Sequence, residues 1–145
     1  MKDPFALQRF VNAQDLDGTF DRALGELRLG RKRTHWMWFV FPQLTGLGRS
    51  PTARHFAISG LAEARAYLAH PVLGARLIQC ARIVSELPGS DAVEVFGAVD
   101  AEKLRSSMTL FGRADPAEPA FESVLKHYFD GEVDDTTVNG LGDEV

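Results

Sequence analysis

Apolar residues recur along this chain at the three-to-four spacing of amphipathic helices. Phe20, Ala23, Leu24 and Leu27 fall at i, i+3, i+4 and i+7 and form one apolar stripe. Thr19 is suited to cap that helix, Asp21 places a negative charge near its positive end, and Gly30 is suited to stop it. Leu73, Leu77, Cys80, Ala81 and Val84 make the buried stripe of a helix predicted over 71–87, the longest and most central of the chain, ended by Pro88-Gly89. Phe121, Val124, Leu125 and Tyr128 do the same for a helix over 119–129, stopped by Gly131.

Shorter helices are predicted after Asp3-Pro4, from Ser50-Pro51, over 61–69, and from Asp100 through Phe111, with a loop from Gly112 to Pro119. Trp36 to Phe41 is a dense apolar run whose periodicity suits a buried strand or a buried helix. Thr34 as cap and Pro42 as stop favour the helix. No segment alternates long enough to suggest a sheet. The pattern predicts an all-α, mainly helical fold: an irregular, compact single-domain multi-helix bundle with several short helices, occupying residues 1–130. Residues 131–145 are predicted to be an acidic C-terminal tail, loop or partly ordered.

Charge sharpens this picture. The formal net charge is −4, but six acids and no Lys or Arg lie from Asp130 onward, so the remainder carries +2. Between Glu26 and Glu63 there is no acid, while Arg28, Arg31, Lys32, Arg33, Arg49 and Arg54 all fall there. A pI near 5.5 speaks against a general nucleic-acid binder, and the basic run 28–33 reads as a solvated loop. One cysteine, Cys80, allows no internal disulfide and reads as a small core residue. No apolar run approaches the roughly 18 residues of a membrane span. With the mixed opening Met-Lys-Asp-Pro, these features predict a cytoplasmic monomer that does not engage a membrane.

The easily recognised catalytic signatures are absent: no phosphate-binding Gly-Lys-Ser/Thr loop, no dinucleotide glycine fingerprint, no zinc spacing and no nucleophile turn. No metal or cofactor is therefore predicted. The richest candidate is the stretch from His35 to Ala57. Ser50-Pro51 starts a helix there, Arg49 precedes it, and Arg54 lies on its side. Backbone donors with guanidinium groups suit a phosphate or carboxylate, and Trp36 or Trp38 could stack on a ring, with Gln43 alongside. His35 and His55 are the candidate general acid–base residues. A second cluster, Ser106, Ser107 and Thr109, could line a polar pocket with Lys103 and Arg105. Asp100 and Glu102 are the acids expected to reach Arg49 and Arg54 if the arginines are neutralised within the fold.

Three stretches together carry a resemblance: His35-Trp-Met-Trp-Phe-Val-Phe-Pro-Gln43 with Gly46-Leu-Gly-Arg-Ser50; His55-Phe-Ala-Ile58 through Tyr67-Leu-Ala-His-Pro71; and Phe96-Gly97 with Asp100, Lys103-Leu104 and Ser106-Ser-Met-Thr-Leu-Phe111. From about Phe5 to Phe129 the chain resembles the domain of unknown function 1810 family, small bacterial proteins sometimes labelled calpastatin. The resemblance implies a compact, largely helical domain and no settled activity. The calpastatin label matches no physical feature, since such inhibitors are long and disordered. The order of segments is also similar to that of helical N-glycosidases acting on ADP-ribose-like substrates, an analogy of arrangement only.

Three functions follow as expectations. The first is a binding module for a small anionic or nucleotide-like ligand at Trp36, Trp38, Gln43, Arg49, Ser50, Arg54, Ser106 and Ser107. The second is a hydrolase or N-glycosidase-like enzyme at the same site, using His35 or His55. The third is a protein-interaction module using the basic run or the acidic tail.

Overall fold

Asp3 organises the first helix from outside it. Its carboxylate oxygens accept the backbone N–H groups of Leu7 at 2.8 Å and Gln8 at 3.0 Å, and α1 (Gln8–Asp15) follows. The computed structural model describes residues 2–142. After a 3₁₀ turn the order is α2 (Thr19–Arg28), α3 (Met37–Val40), α4 (Pro51–His55), α5 (Leu61–Ala69), α6 (Leu73–Ser85), α7 (Ala92–Phe96), α8 (Ala98–Ala114), α9 (Pro119–Phe129) and α10 (Asp135–Leu141). The fold is all-α. Among the described residues, extended pairing is confined to one parallel bridge between Leu44 and Ile58.

The apolar stripes are what bring the helices together. Ala23, Leu27, Leu73, Leu77, Cys80, Ala81, Val84, Phe121 and Val124 are all buried, so the faces expected from spacing alone meet in one core. α9 packs against both α6 and α8, and α5 packs against the same pair. α7 and α10 lie on α8, α2 lies on α6, and α1 lies between α2 and α3. Burial pushes the Cys80 thiol up to about 12, so it stays protonated at neutral pH, as a small core residue should.

Several boundaries differ from the sequence reading. The longest helix is α8, with 17 residues, whereas α6 has 13 and begins at Leu73. α8 starts two residues before Asp100, because Gly97 at φ 83° makes the sharp turn out of α7, and it runs on through Gly112. Asp100 is thereby freed from capping. Gly18, not Thr19, precedes α2, and Thr34 does not cap α3. The segment expected as loop or partly ordered tail contains α10. Its Thr137 and Leu141 are buried, and Asp134 caps it by accepting from Thr137 N at 3.1 Å. Asp143, Glu144 and Val145 lie outside the described residues.

The end of α6 is tied to α9 by side chains. Tyr128 Oη donates to Val84 O at 2.7 Å, and His127 Nε2 donates to Leu87 O at 2.9 Å. Tyr128→Phe is expected to lower stability by about 1 kcal/mol, the usual worth of one such bond. Urea melts will read it, and an unchanged midpoint would mean that water satisfies the Val84 carbonyl equally well.

Candidate functional site

Glu26 closes the acid-free interval and also builds the loop that crosses it. Its carboxylate accepts from Arg33 N (2.6 Å), Thr34 N (2.9 Å), Thr34 Oγ1 (2.5 Å) and Trp36 Nε1 (3.0 Å). Burial alone would raise its pKa, but the donors of Thr34, Arg33 and Trp36 outweigh burial and hold it at about 2. The same contacts settle the place of Trp36. Its ring is fully buried, and its single donor is used by Glu26.

Lys32, one residue ahead of this turn, points inward. Its Nζ lies 2.9 Å from Asp100 Oδ2, donates to Thr34 O at 2.6 Å, and sits 4.9 Å from the Trp36 ring centroid. Asp100 Oδ1 also lies 3.5 Å from Lys103 Nζ, one turn along α8. Lys103 Nζ in turn sits 5.0 Å from the ring centroid of Trp38, which is half-buried. Two ammonium groups therefore share one carboxylate, and the second of them lies against an aromatic ring that solvent reaches.

A groove of about 280 Å³ opens beside this cluster. α8 contributes Glu102, Lys103 and Ser106 to its wall, the loop after α3 contributes Gln43 and Gly48, and the start of α10 contributes Asp134. The loop is held by two backbone bonds, Ile58 N to Gln43 O at 2.9 Å and Thr45 N to Ile58 O at 2.8 Å. Ser106 Oγ lies 3.1 Å from both Glu102 O and Asp134 Oδ2, so the second polar cluster is joined to the cap of α10. The residue whose position closes α10 onto this loop is Gly140, where a Cβ would lie 2.8 Å from Leu44 Cδ2.

The other candidates are placed elsewhere. Arg49, Ser50 and Arg54 are exposed, next along the chain from Gly48. Ser50 Oγ accepts from Ala53 N at 3.1 Å and caps α4, a helix of five residues. Among the described residues no carboxylate comes within 4.0 Å of Arg49 or Arg54, and Asp100, expected to neutralise them, serves Lys32 and Lys103 instead. His35 and His55 are both exposed, and among the described residues no hydrogen bond or ring contact joins them. His55 packs edge-on against Phe56. Ser107 is fully buried, and its Oγ has no hydrogen-bond partner among the described residues. Arg105 faces away from the groove and reaches Glu132 O at 3.2 Å and Val133 O at 2.9 Å.

Over residues 4–141 the sequence matches a family described as a protein of unknown function, DUF1810. The chain belongs to that family. Among solved structures it is similar to the conserved hypothetical protein Rv1873 from Mycobacterium tuberculosis, with 51% identity and a TM-score of 0.91 over 94% of this chain and 96% of that one. No curated protein matches it.

In this family member two positioning residues lay beyond sequence reasoning. Arg9 Nε donates to His55 O at 2.8 Å, Arg9 Nη2 donates to Ala57 O at 3.0 Å, and the same Nη2 pairs with Glu63 at 2.9 Å, so it holds the end of α4. Gln14, buried in α1, donates to Phe39 O at 2.7 Å and fixes α3. Neither has a local pattern in sequence.

Proposed function

We propose that this chain is a binding module for a small anionic, nucleotide-like ligand, seated in the groove of Gln43, Lys103 and Ser106 beside Trp38. The observation that carries this reading is the sharing of Asp100 between Lys32 and Lys103, which leaves that cluster of three with one positive charge in surplus, on a groove wall that also carries the Glu102 and Asp134 carboxylates. The partly exposed Trp38 ring adds a surface for stacking, Gln43 and Ser106 supply neutral hydrogen-bonding groups, and the exposed carboxylate of Glu102 suits sugar hydroxyls. Arg49 follows Gly48 of the groove wall and adds positive charge nearby. Trp36 and Ser107 are fully buried and offer a ligand no surface. The hydrolase reading has less behind it, because neither His35 nor His55 lines the groove.

Titration with inorganic phosphate and with adenosine monophosphate, followed by tryptophan fluorescence, tests this. A saturable change is expected, arising from Trp38 and lost in Trp38→Phe while Trp36 emission remains. Lys103→Ala is expected to weaken binding by about tenfold or more, as removal of a charged partner does. No saturable change in the parent, or equal affinity in Lys103→Ala and the parent, removes the proposal.

A further inference from the structure

The shielded cations of this protein follow a rule with one exception. Arg9, Lys32, Arg76, Lys103 and Arg105 are each partly or largely withdrawn from solvent, and each has a carboxylate within 4.0 Å: Glu63, Asp100, Asp15, Asp100 and Glu132 respectively. Arg113, in the last turn of α8, is also half-buried, yet among the described residues its side chain has no carboxylate partner and no hydrogen bond. Its place near the C-terminal end of a helix favours a cation but provides no acceptor for the guanidinium fork.

Arg113 lines a half-open cavity of about 320 Å³ between α8 and α9, bordered by the turn after α9. Met108 and Leu125, both buried, and Val133 contribute apolar lining. Glu118 and Glu122 line the same cavity, and neither comes within 4.0 Å of Arg113. Glu118 Oε2 accepts from Ala120 N at 3.0 Å and caps α9, while the ion pairs of both acids are loose. Glu118 Oε1 is 3.7 Å from Arg82, and Glu122 Oε1 is 3.1 Å from Lys126 in a pair whose side chains are both about two-thirds exposed. One wall thus carries an unpaired guanidinium, another carries carboxylates, and apolar side chains lie within the same cavity. A guanidinium binds a carboxylate through two parallel bonds, and a carboxylate accepts from an ammonium.

We propose that this cavity is a binding site for a small α-amino acid with an apolar side chain. Arg113 takes the ligand carboxylate, Glu122 with Glu118 takes its ammonium group, and the side chain lies on Met108, Leu125 and Val133. The site is separate from the groove at Lys103, and its test does not depend on that reading.

Calorimetric titration of the full chain with L-leucine, L-methionine and L-phenylalanine tests the assignment. Two controls lack one charge each, 4-methylpentanoate without the ammonium and isoamylamine without the carboxylate. At least one amino acid is expected to bind, and each control is expected to bind more weakly. Arg113→Gln is expected to weaken that binding by about tenfold to hundredfold. Glu122→Gln, at a surface position that tolerates change, is expected to weaken it severalfold without altering the melting temperature of the free protein. No heat from any of the three at about 10 mM, a concentration at which even a weak site would fill, overturns the proposal. So does equal affinity for 4-methylpentanoate, or binding unchanged in Glu122→Gln and Arg113→Gln.

Discussion

Gly74→Val is expected to yield a chain without a cooperative fold. Gly74 is the second residue of α6, just after the His70-Pro71 turn that reverses the chain out of α5. A Cβ at this position would lie 2.0 Å from Leu68 O and 2.8 Å from Leu68 C, both backbone atoms of α5. No side-chain rotation relieves such a clash, so α5 and α6 would have to part. Between them sit Tyr67, Leu73 and Leu77, each at most 1% exposed, and close-packed interiors do not absorb a displacement of that size. Even Gly74→Ala is expected to lose about 3 kcal/mol or more, the upper end for overpacking, and valine adds two further methyl groups. Thermal melts by circular dichroism will read both. A cooperative transition for Gly74→Val within a few degrees of the parent would show that the helices do not need this closeness.

Gly74 also shows where sequence reading stops. The apolar stripes of α2, α6 and α9 were legible, because burial imposes a 3.6-residue period that survives in a single sequence. The proline and glycine punctuation was legible for the same local reason. A glycine in the first turn of a helix carries no such signal: its role lies in the distance to Leu68, which only the packed pair of helices defines. The site divides in the same way. Ser106 and Lys103 stood in one candidate cluster of the sequence and Gln43 in another, and the three line one groove. Charge counting found the acid-free interval but not its resolution, since Lys32 is matched by Asp100, far along the chain, while Arg49 and Arg54 meet no carboxylate among the described residues. Trp36 was read both as part of a buried apolar run and as a stacking surface, and it is buried. What decides its position is Glu26, ten residues earlier, and a buried acceptor for an indole N–H leaves no trace in local periodicity.

Glu26 provides the other large effect, and it depends on pH. The carboxylate is 8% exposed and holds two backbone N–H groups, a hydroxyl and the Trp36 indole. Its pKa stands at about 2 in the fold against an ordinary value of 4.5. The unfolded chain therefore takes up a proton at a higher pH than the folded one. Stability from this group is complete above about pH 4.5 and drains away as pH falls toward about 2, in all about 3 kcal/mol. Asp3 shifts in the same direction through the N–H groups of Gln8 and Leu7, so the parent curve alone does not isolate Glu26. Comparison with Glu26→Gln does. At pH 7 the variant is expected to be less stable by about 3–5 kcal/mol, because an amide cannot accept at all four donors and leaves buried ones unpaired. As pH falls below about 4.5 the gap should narrow, since the unfolded parent takes up a proton that the folded carboxylate resists and the variant has no such group. Urea melts of both proteins at pH 7, 4 and 2.5 measure the difference. A gap that stays constant across that range would mean that the Glu26 carboxylate contributes through shape and not through its charge, and the turn from Arg33 to Trp36 would need another anchor.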